Sequence, residues 1–189
     1  MPPEVLMKEP TNQDSAERMR SVLDRLQGPL IRYAVRITRD LEQARDVVQD
    51  TFLQLFSQDL TRLNGRLDPW LFTVCRNRAI DLCRKESRMN PLEETLSDAP
   101  DHRNAGALEM LEAAEDVSDL LRALGRLPAN QQEVIRLKFQ NGLSYKEISQ
   151  VTGLSVANVG FLIHTGIKTI REQLTPRRSP VGKNLRRVK

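Results

Sequence analysis

Aromatic residues are scarce in this 189-residue chain, at 4% of the sequence. That argues against aromatic cages and stacked single-strand platforms. No run of 18 apolar residues occurs, so no segment is expected to span a membrane. The opening residues, MPPEVLMKEPTNQD, lack the apolar stretch of a secretory signal. The expectation is a cytoplasmic protein without membrane insertion. Cysteine is rare too. Cys75 and Cys83 stand eight residues apart, about 12 Å along one helix, too far to bridge. They read as two semi-buried thiols in a reducing compartment. The two histidines, His102 and His164, stand alone, and neither CxxC nor HExxH occurs, so no metal and no cofactor is expected. Gly160 and Gly166 are six apart where a P-loop needs five, and Ile167 stands where it needs lysine. With no Cys-His pairing and no carboxylate-rich metal site, no catalytic residues are expected and the chain does not read as an enzyme.

What is present is enough for a core. Hydrophobic residues make up 39% and charged residues 29%, which excludes wholesale disorder. The net charge of +4 is unevenly placed. Residues 1–85 carry 14 basic and 12 acidic side chains; residues 86–119 carry 2 and 10; residues 120–189 carry 13 and 3. A near-neutral block, an acidic middle of net −8 and a basic end of net +10 follow in order. The basic third points to a polyanion, most often nucleic acid; a solvated charged surface is the alternative.

No stretch alternates as a half-buried strand does, and the apolar residues recur at helical spacing. Met19, Val22, Leu23 and Leu26 predict one helix, interrupted at Gly28-Pro29 and resumed through Leu30, Ala34 and Ile37. Asp40 can cap the next, with Leu41, Ala44, Val48, Phe52 and Leu55 on one face. Asp68-Pro69 fits a cap followed by proline at the first helical position. The helix after it sets Leu71, Val74, Arg78 and Leu82 on one line and Trp70, Asn77 and Asp81 on another. Residues 87–104 read as a flexible acidic linker, on average about 25 Å end to end. Helical spacing returns at Leu108, Leu111, Val117, Leu121 and Leu124, and a helix follows over about 129–139. The expectation is all-α: two small helical domains, 17–86 and 105–174, joined by the linker at 87–104. A disordered N-terminus (1–16) and a disordered basic tail (175–189) flank them.

The second domain carries a helix-turn-helix pattern over about 144–172. Ser144-Tyr145-Lys146-Glu147 is a capping box. Ile148 and Val151 give that short helix a buried face. Gly153 can take the positive φ of a tight turn. Ser155 can cap a second helix reaching about Gln173. An ordinary pair of helices at a corner is the bland reading.

In the first domain two segments stand out. In 44–52, ARDVVQDTF, Asp46, Gln49 and Asp50 project away from the apolar side. In 69–85, PWLFTVCRNRAIDLCRK, arginines and an asparagine beside a tryptophan suit phosphates and an unstacked base, or else a buried Trp with surface arginines. Both segments resemble conserved region 2 of the extracytoplasmic-function (group IV) sigma factors of bacterial RNA polymerase. The helix-turn-helix, including Gly142-Leu143-Ser144-Tyr145-Lys146-Glu147-Ile148, resembles region 4 of the same family. The likeness covers about 17–86 and 107–174, with the two regions in the family's order.

The resemblance implies a factor that binds core RNA polymerase and directs promoter recognition and melting, with no covalent chemistry of its own. It makes Asp46, Gln49 and Asp50 the face that meets the clamp helices of the largest polymerase subunit. It makes Trp70, Arg76, Asn77, Arg84 and Lys85 the −10 DNA-binding set, with one base flipped from the stack at a cost of a few kcal/mol. It makes Ser155, Asn158, His164, Lys168 and Arg171 the −35 contacts. The linker would thread a polymerase channel, its acidic charge mimicking RNA there or simply repelling DNA. Promoter DNA, the polymerase flap and an anti-sigma factor are the implied partners. The chain departs from the family at its recognition helix: Gly160, Leu162, Thr165 and Ile167 stand where cations are usual. Phe161-Leu162-Ile163 reads as core or as a partner contact. Two alternatives follow: a helix-turn-helix regulator that never joins polymerase, or a sigma-like interaction protein without −35 reading.

Overall fold

The structure, a computed structural model, describes residues 12–58, 63, 66–89 and 115–175. Among them every regular element is an α-helix. In chain order these are α1 (Asn12–Thr38), α2 (Leu41–Phe56), α3 (Leu67–Met89), α4 (Glu115–Gly125), α5 (Ala129–Phe139), α6 (Tyr145–Thr152) and α7 (Val156–Leu174). The expected acidic linker, the basic tail and the residues before Asn12 lie outside the described residues, as do Leu108 and Leu111.

The first three helices pack on one another as one module. Their core holds Leu26, Leu30 and Ala34 of α1, Ala44, Val48, Phe52 and Leu55 of α2, and Leu71, Phe72, Cys75 and Ala79 of α3. The sets of α1 and α2 recur at three or four residues, as a stripe facing one neighbour must, and in α3 Leu71 and Phe72 together widen the stripe. Four expectations change. First, α1 does not break at Gly28-Pro29 but runs through it. Pro29 cannot donate to the Arg25 carbonyl, yet Arg25 is exposed, where water can serve that carbonyl. Leu26 and Leu30 on either side are both buried and hold the helix together. Second, Leu41 is exposed, and Val47 and Thr51 replace it in the buried face of α2. Third, Asp68 is not a cap. The helix begins at Leu67, and Asp68 instead accepts a bidentate pair from Arg25 of α1, at 2.6 and 2.8 Å. Fourth, of the line Leu71, Val74, Arg78 and Leu82 only Leu71 is fully buried; Phe72, Cys75 and Ala79 join it in the core, and the other three are half-buried. The helix also starts and ends outside some expected bounds, with α1 beginning at Asn12 and α3 continuing to Met89.

Asp40 caps α2 as expected, its carboxylate accepting from the Gln43 N–H at 2.8 Å.

The last four helices form the second module, with α4, α5 and α6 all packed on α7. Val134, Ile135 and Leu137 of α5, Ile148 and Val151 of α6, and Val159, Leu162, Ile163 and Ile170 of α7 are buried. Gln132 is buried among them, and its amide donates to the carbonyls of Gly125 and Leu127, closing the α4–α5 turn. The turn between α6 and α7 follows the expected chemistry. Ser144 caps α6 in a full capping box with Glu147. Gly153 sits at φ 76° as the left-handed C-cap, and Ser155 accepts from the Asn158 N–H to start α7. The Ser149 hydroxyl donates to the Leu154 carbonyl and ties the turn.

Candidate nucleic-acid interface

Three helical faces carry the residues singled out in the sequence. On α2, the burial of Ala44, Val47, Val48 and Thr51 turns Asp46, Gln49 and Asp50 outward, all exposed. Asp50 also accepts from Arg78 of α3 at 2.8 Å, and Arg78 reaches Gln54. This exposed pair is worth under about 1 kcal/mol and leaves Asp50 able to exchange partners. Leu53 and Phe56 lie exposed farther along the same helix. Neither was singled out in the sequence, although neither falls on the core stripe of Ala44, Val48, Phe52 and Leu55.

On α3, the spacing of seven residues aligns Trp70, Asn77 and Arg84 along one face. Trp70 is half-buried against the core, while Asn77, Arg84 and Lys85 are exposed. Arg84 stands 3.9 Å from Asp81. Arg76 does not join them. It is turned about 100° from Asn77 and points to the second module, where its Nε donates to Glu133 of α5 at 2.8 Å. Glu133 accepts a second bond, from the Tyr33 hydroxyl, at 2.7 Å. Burial and the Glu133 carboxylate hold the Tyr33 hydroxyl well above its ordinary pKa. Opposing effects act on Arg76, burial lowering its pKa and Glu133 raising it, with the net upward. The α3 face meets α6 along the same seam. Neither Tyr33 nor Glu133 was singled out in the sequence. A buried tyrosine needs a partner for its hydroxyl, but nothing local names a residue 100 positions away.

On α7, Ala157, Phe161, His164, Lys168 and Arg171 form the outward stripe, with Asn158 at its margin; all are exposed. Ser155 is exposed as well and engaged as the cap. The Phe161-Leu162-Ile163 run divides: Leu162 and Ile163 are core, and Phe161 is 63% exposed at the centre of the stripe. The missing cations now have a partial physical reason. Leu162 is buried, Ile167 is packed against the core, and the Thr165 hydroxyl donates back to the Phe161 carbonyl. An ionised side chain at 162 would have to be desolvated.

Among the described residues no group of three His, Cys, Asp or Glu could hold a metal ion. None of their helices is long and apolar enough to cross a membrane. Both cysteines are free.

The fold and these faces define a two-module, all-helical protein that presents a helix-turn-helix. Known proteins sharpen that class. The Sigma-70 region 2 family model matches residues 22–89, and the Sigma-70 region 4 family model matches residues 118–170. The ECF RNA polymerase sigma factor SigL of Mycobacterium tuberculosis is 33% identical over 165 residues, covering 82% of this chain and 88% of SigL. SigM of Bacillus subtilis, another ECF RNA polymerase sigma factor, is 30% identical over 129 residues, covering 67% and 77%. The solved structure of RpoE from Bartonella quintana, in complex with the anti-sigma factor NepR, superposes with a TM-score of 0.60. It covers 88% of this chain and 99% of RpoE at 23% identity, a likeness of fold. The chain belongs to the ECF RNA polymerase sigma factors and directs transcription initiation. Sigma factors are not enzymes. A helix-turn-helix regulator independent of polymerase is not favoured, because the region 2 match accounts for the first module.

Proposed function

We propose that the three faces divide the work of a promoter-specific initiation factor in the cytoplasm. The module of α1–α3, with the 17–86 boundaries read from the sequence, binds core polymerase and the −10 element. Asp46, Gln49 and Asp50 meet the clamp helices of the largest subunit, their carboxylates opposite basic groups. Trp70, Asn77, Arg84 and Lys85 take the melted −10 strand, and Arg76 joins them once Glu133 is displaced. Asparagine supplies hydrogen bonds to a flipped base, which recovers the few kcal/mol of unstacking; the cations hold phosphates.

The second module, 105–174, reads the −35 element with α7 in the major groove. Ser155, Asn158, His164, Lys168 and Arg171 contact DNA, while the region also meets the polymerase flap. An anti-sigma factor is the proposed regulator, by analogy with the RpoE–NepR complex. The observation that carries this reading is the alignment of half-buried Trp70 with exposed Asn77 and Arg84 along one line of α3, within the region 2 match.

The test is open-complex formation by reconstituted holoenzyme, followed by permanganate reactivity of unpaired thymines. Trp70→Ala and Asn77→Ala are expected to abolish melting while core binding stays at the wild-type level. Melting that survives both substitutions would place the −10 interface elsewhere.

A further inference from the structure

We propose that Phe161 is a thymine reader: its ring packs on the 5-methyl group of a thymine in the major groove of the −35 duplex and sets the preference at that base pair. The proposal rests on the −35 role given to α7 above and adds a specificity-determining residue to it.

The placement is specific. Phe161 is 63% exposed, whereas its neighbours Leu162 and Ile163 are buried. Folding gives this ring no reason to be apolar, because the solvent-facing side of an amphipathic helix is ordinarily polar. Phe161 lies in the second turn of α7. Side chains on a helix lean toward its N-terminus, which directs the ring toward the first turn, where Ala157 and Asn158 are exposed. That is the part of a recognition helix that meets base edges. Thr165, one turn farther on, offers a base little, since its hydroxyl donates to the Phe161 carbonyl at 2.8 Å. Lys168 and Arg171, both exposed, follow about 10 and 15 Å along the axis. At that distance they suit phosphates rather than the base pair that Phe161 meets.

The chemistry selects the occupant. Base pairs present hydrogen-bonding groups throughout the major groove, and the apolar feature among them is the thymine methyl. A single ring bordered by the Asn158 amide, the His164 imidazole and two cations matches that feature. It does not match a protein groove. A stable protein interface takes about 800 Å² per partner, and the other members of this stripe, Ala157, His164, Lys168 and Arg171, add no second large apolar side chain.

The experiment uses holoenzyme reconstituted from the full chain and core polymerase. The probe is a fluorescein-labelled promoter duplex recovered by chain-dependent transcription of source-genome DNA. Each thymine of its −35 segment, on either strand, is replaced in turn by deoxyuridine, which removes only the 5-methyl group. Affinities are compared for the parent, Phe161→Ala, Phe161→Leu and Lys168→Ala, with circular dichroism confirming that each variant is folded. In the parent, deoxyuridine at one position is expected to weaken binding about three- to fivefold, the worth of one buried methyl. Phe161→Ala is expected to bind the all-thymine duplex at least that much more weakly and to be indifferent to deoxyuridine there. Phe161→Leu should keep part of the difference. Lys168→Ala should keep all of it while its salt dependence flattens, which that of Phe161→Ala should not.

A parent indifferent to deoxyuridine at every position on both strands overturns the proposal, and so does a Phe161→Ala variant that keeps the full penalty. If Phe161→Ala instead weakens assembly with core polymerase and leaves that penalty intact, the ring serves a protein surface. Scrambling the whole −35 segment separates the two levels of failure. A scramble that costs nothing removes the −35 role of α7 itself. A scramble penalty with no deoxyuridine penalty overturns the Phe161 contact alone.

Discussion

Cys75 has no exposed surface, and burial pushes its thiol up to about 12 from an ordinary 9.0. Between those values the unfolded chain releases a proton that the folded chain keeps. The stability due to this group is therefore whole below pH 9 and is lost as pH rises toward 12, by at most about 1.4 kcal/mol per pH unit. Tyr33, also raised, adds the same sign of dependence only above pH 10. Urea unfolding between pH 9 and 10 should show a steeper loss in the wild type than in Cys75→Ala. Both thiols read as semi-buried in the sequence; Cys83 is so, whereas Cys75 is fully buried. Depth depends on how α3 is rotated against α1 and α2, and single-helix periodicity left Phe72, Cys75 and Ala79 off the core line. Outward residues of α7 carry a separate expectation. Lys168→Ala should weaken duplex binding by holoenzyme about equally on all sequences and flatten its salt dependence by about one in slope. Asn158→Ala should instead relax preference at one base pair, at about 1–3 kcal/mol. A parallel loss for both, measured on a panel of −35 sequences at several salt concentrations, would mean that Asn158 only touches backbone.

Two glycines in one helix separate packing from propensity. A Cβ at Gly166 would lie 2.6 Å from Ile135 Cδ1 and 3.3 Å from Leu127 Cδ1, so any side chain there must displace the packed tip of Ile135. A Cβ at Gly160 would meet only the Tyr145 ring, at 3.6 Å, an ordinary contact. Gly160→Ala should therefore stabilise the chain by about 0.5–1 kcal/mol, as helix propensity alone dictates. Gly166→Val should destabilise it by about 2 kcal/mol through overpacking. Denaturant titration of the two variants checks both signs. Elements with strong local chemistry were readable before any coordinates: Ser144 with Glu147, Gly153, Ser155 and Asp40 act as caps and turn residues wherever the chain goes. Pro29 misled for a different reason. A proline disrupts one backbone bond at a cost of about 3 kcal/mol, and buried side chains on both flanks of α1 outweigh that local penalty. Asp68 misled because a longer-range partner, Arg25, outbid the cap position.

The division into two helical modules was visible in the charge blocks and in the return of helical spacing after residue 105. The family likeness rested on short segments whose side chains face outward, and the structure places most of them so. What a linear reading could not see is the seam. Tyr33, Arg76 and Glu133 share no segment or periodicity, and only the packing of α3 against α5 and α6 brings them together. That seam moves Arg76 from an assumed open DNA face to an intramolecular contact with Glu133.

The most direct measurement of the central claim is reconstituted transcription. Purified chain and core RNA polymerase are mixed with fragmented DNA from the source genome, and transcript 5′ ends are mapped. The account predicts starts that depend on the chain, share a −10 motif and a −35 motif, and vanish with Asn77→Ala. Core binding without any chain-dependent start, or starts indifferent to Asn77, would contradict it.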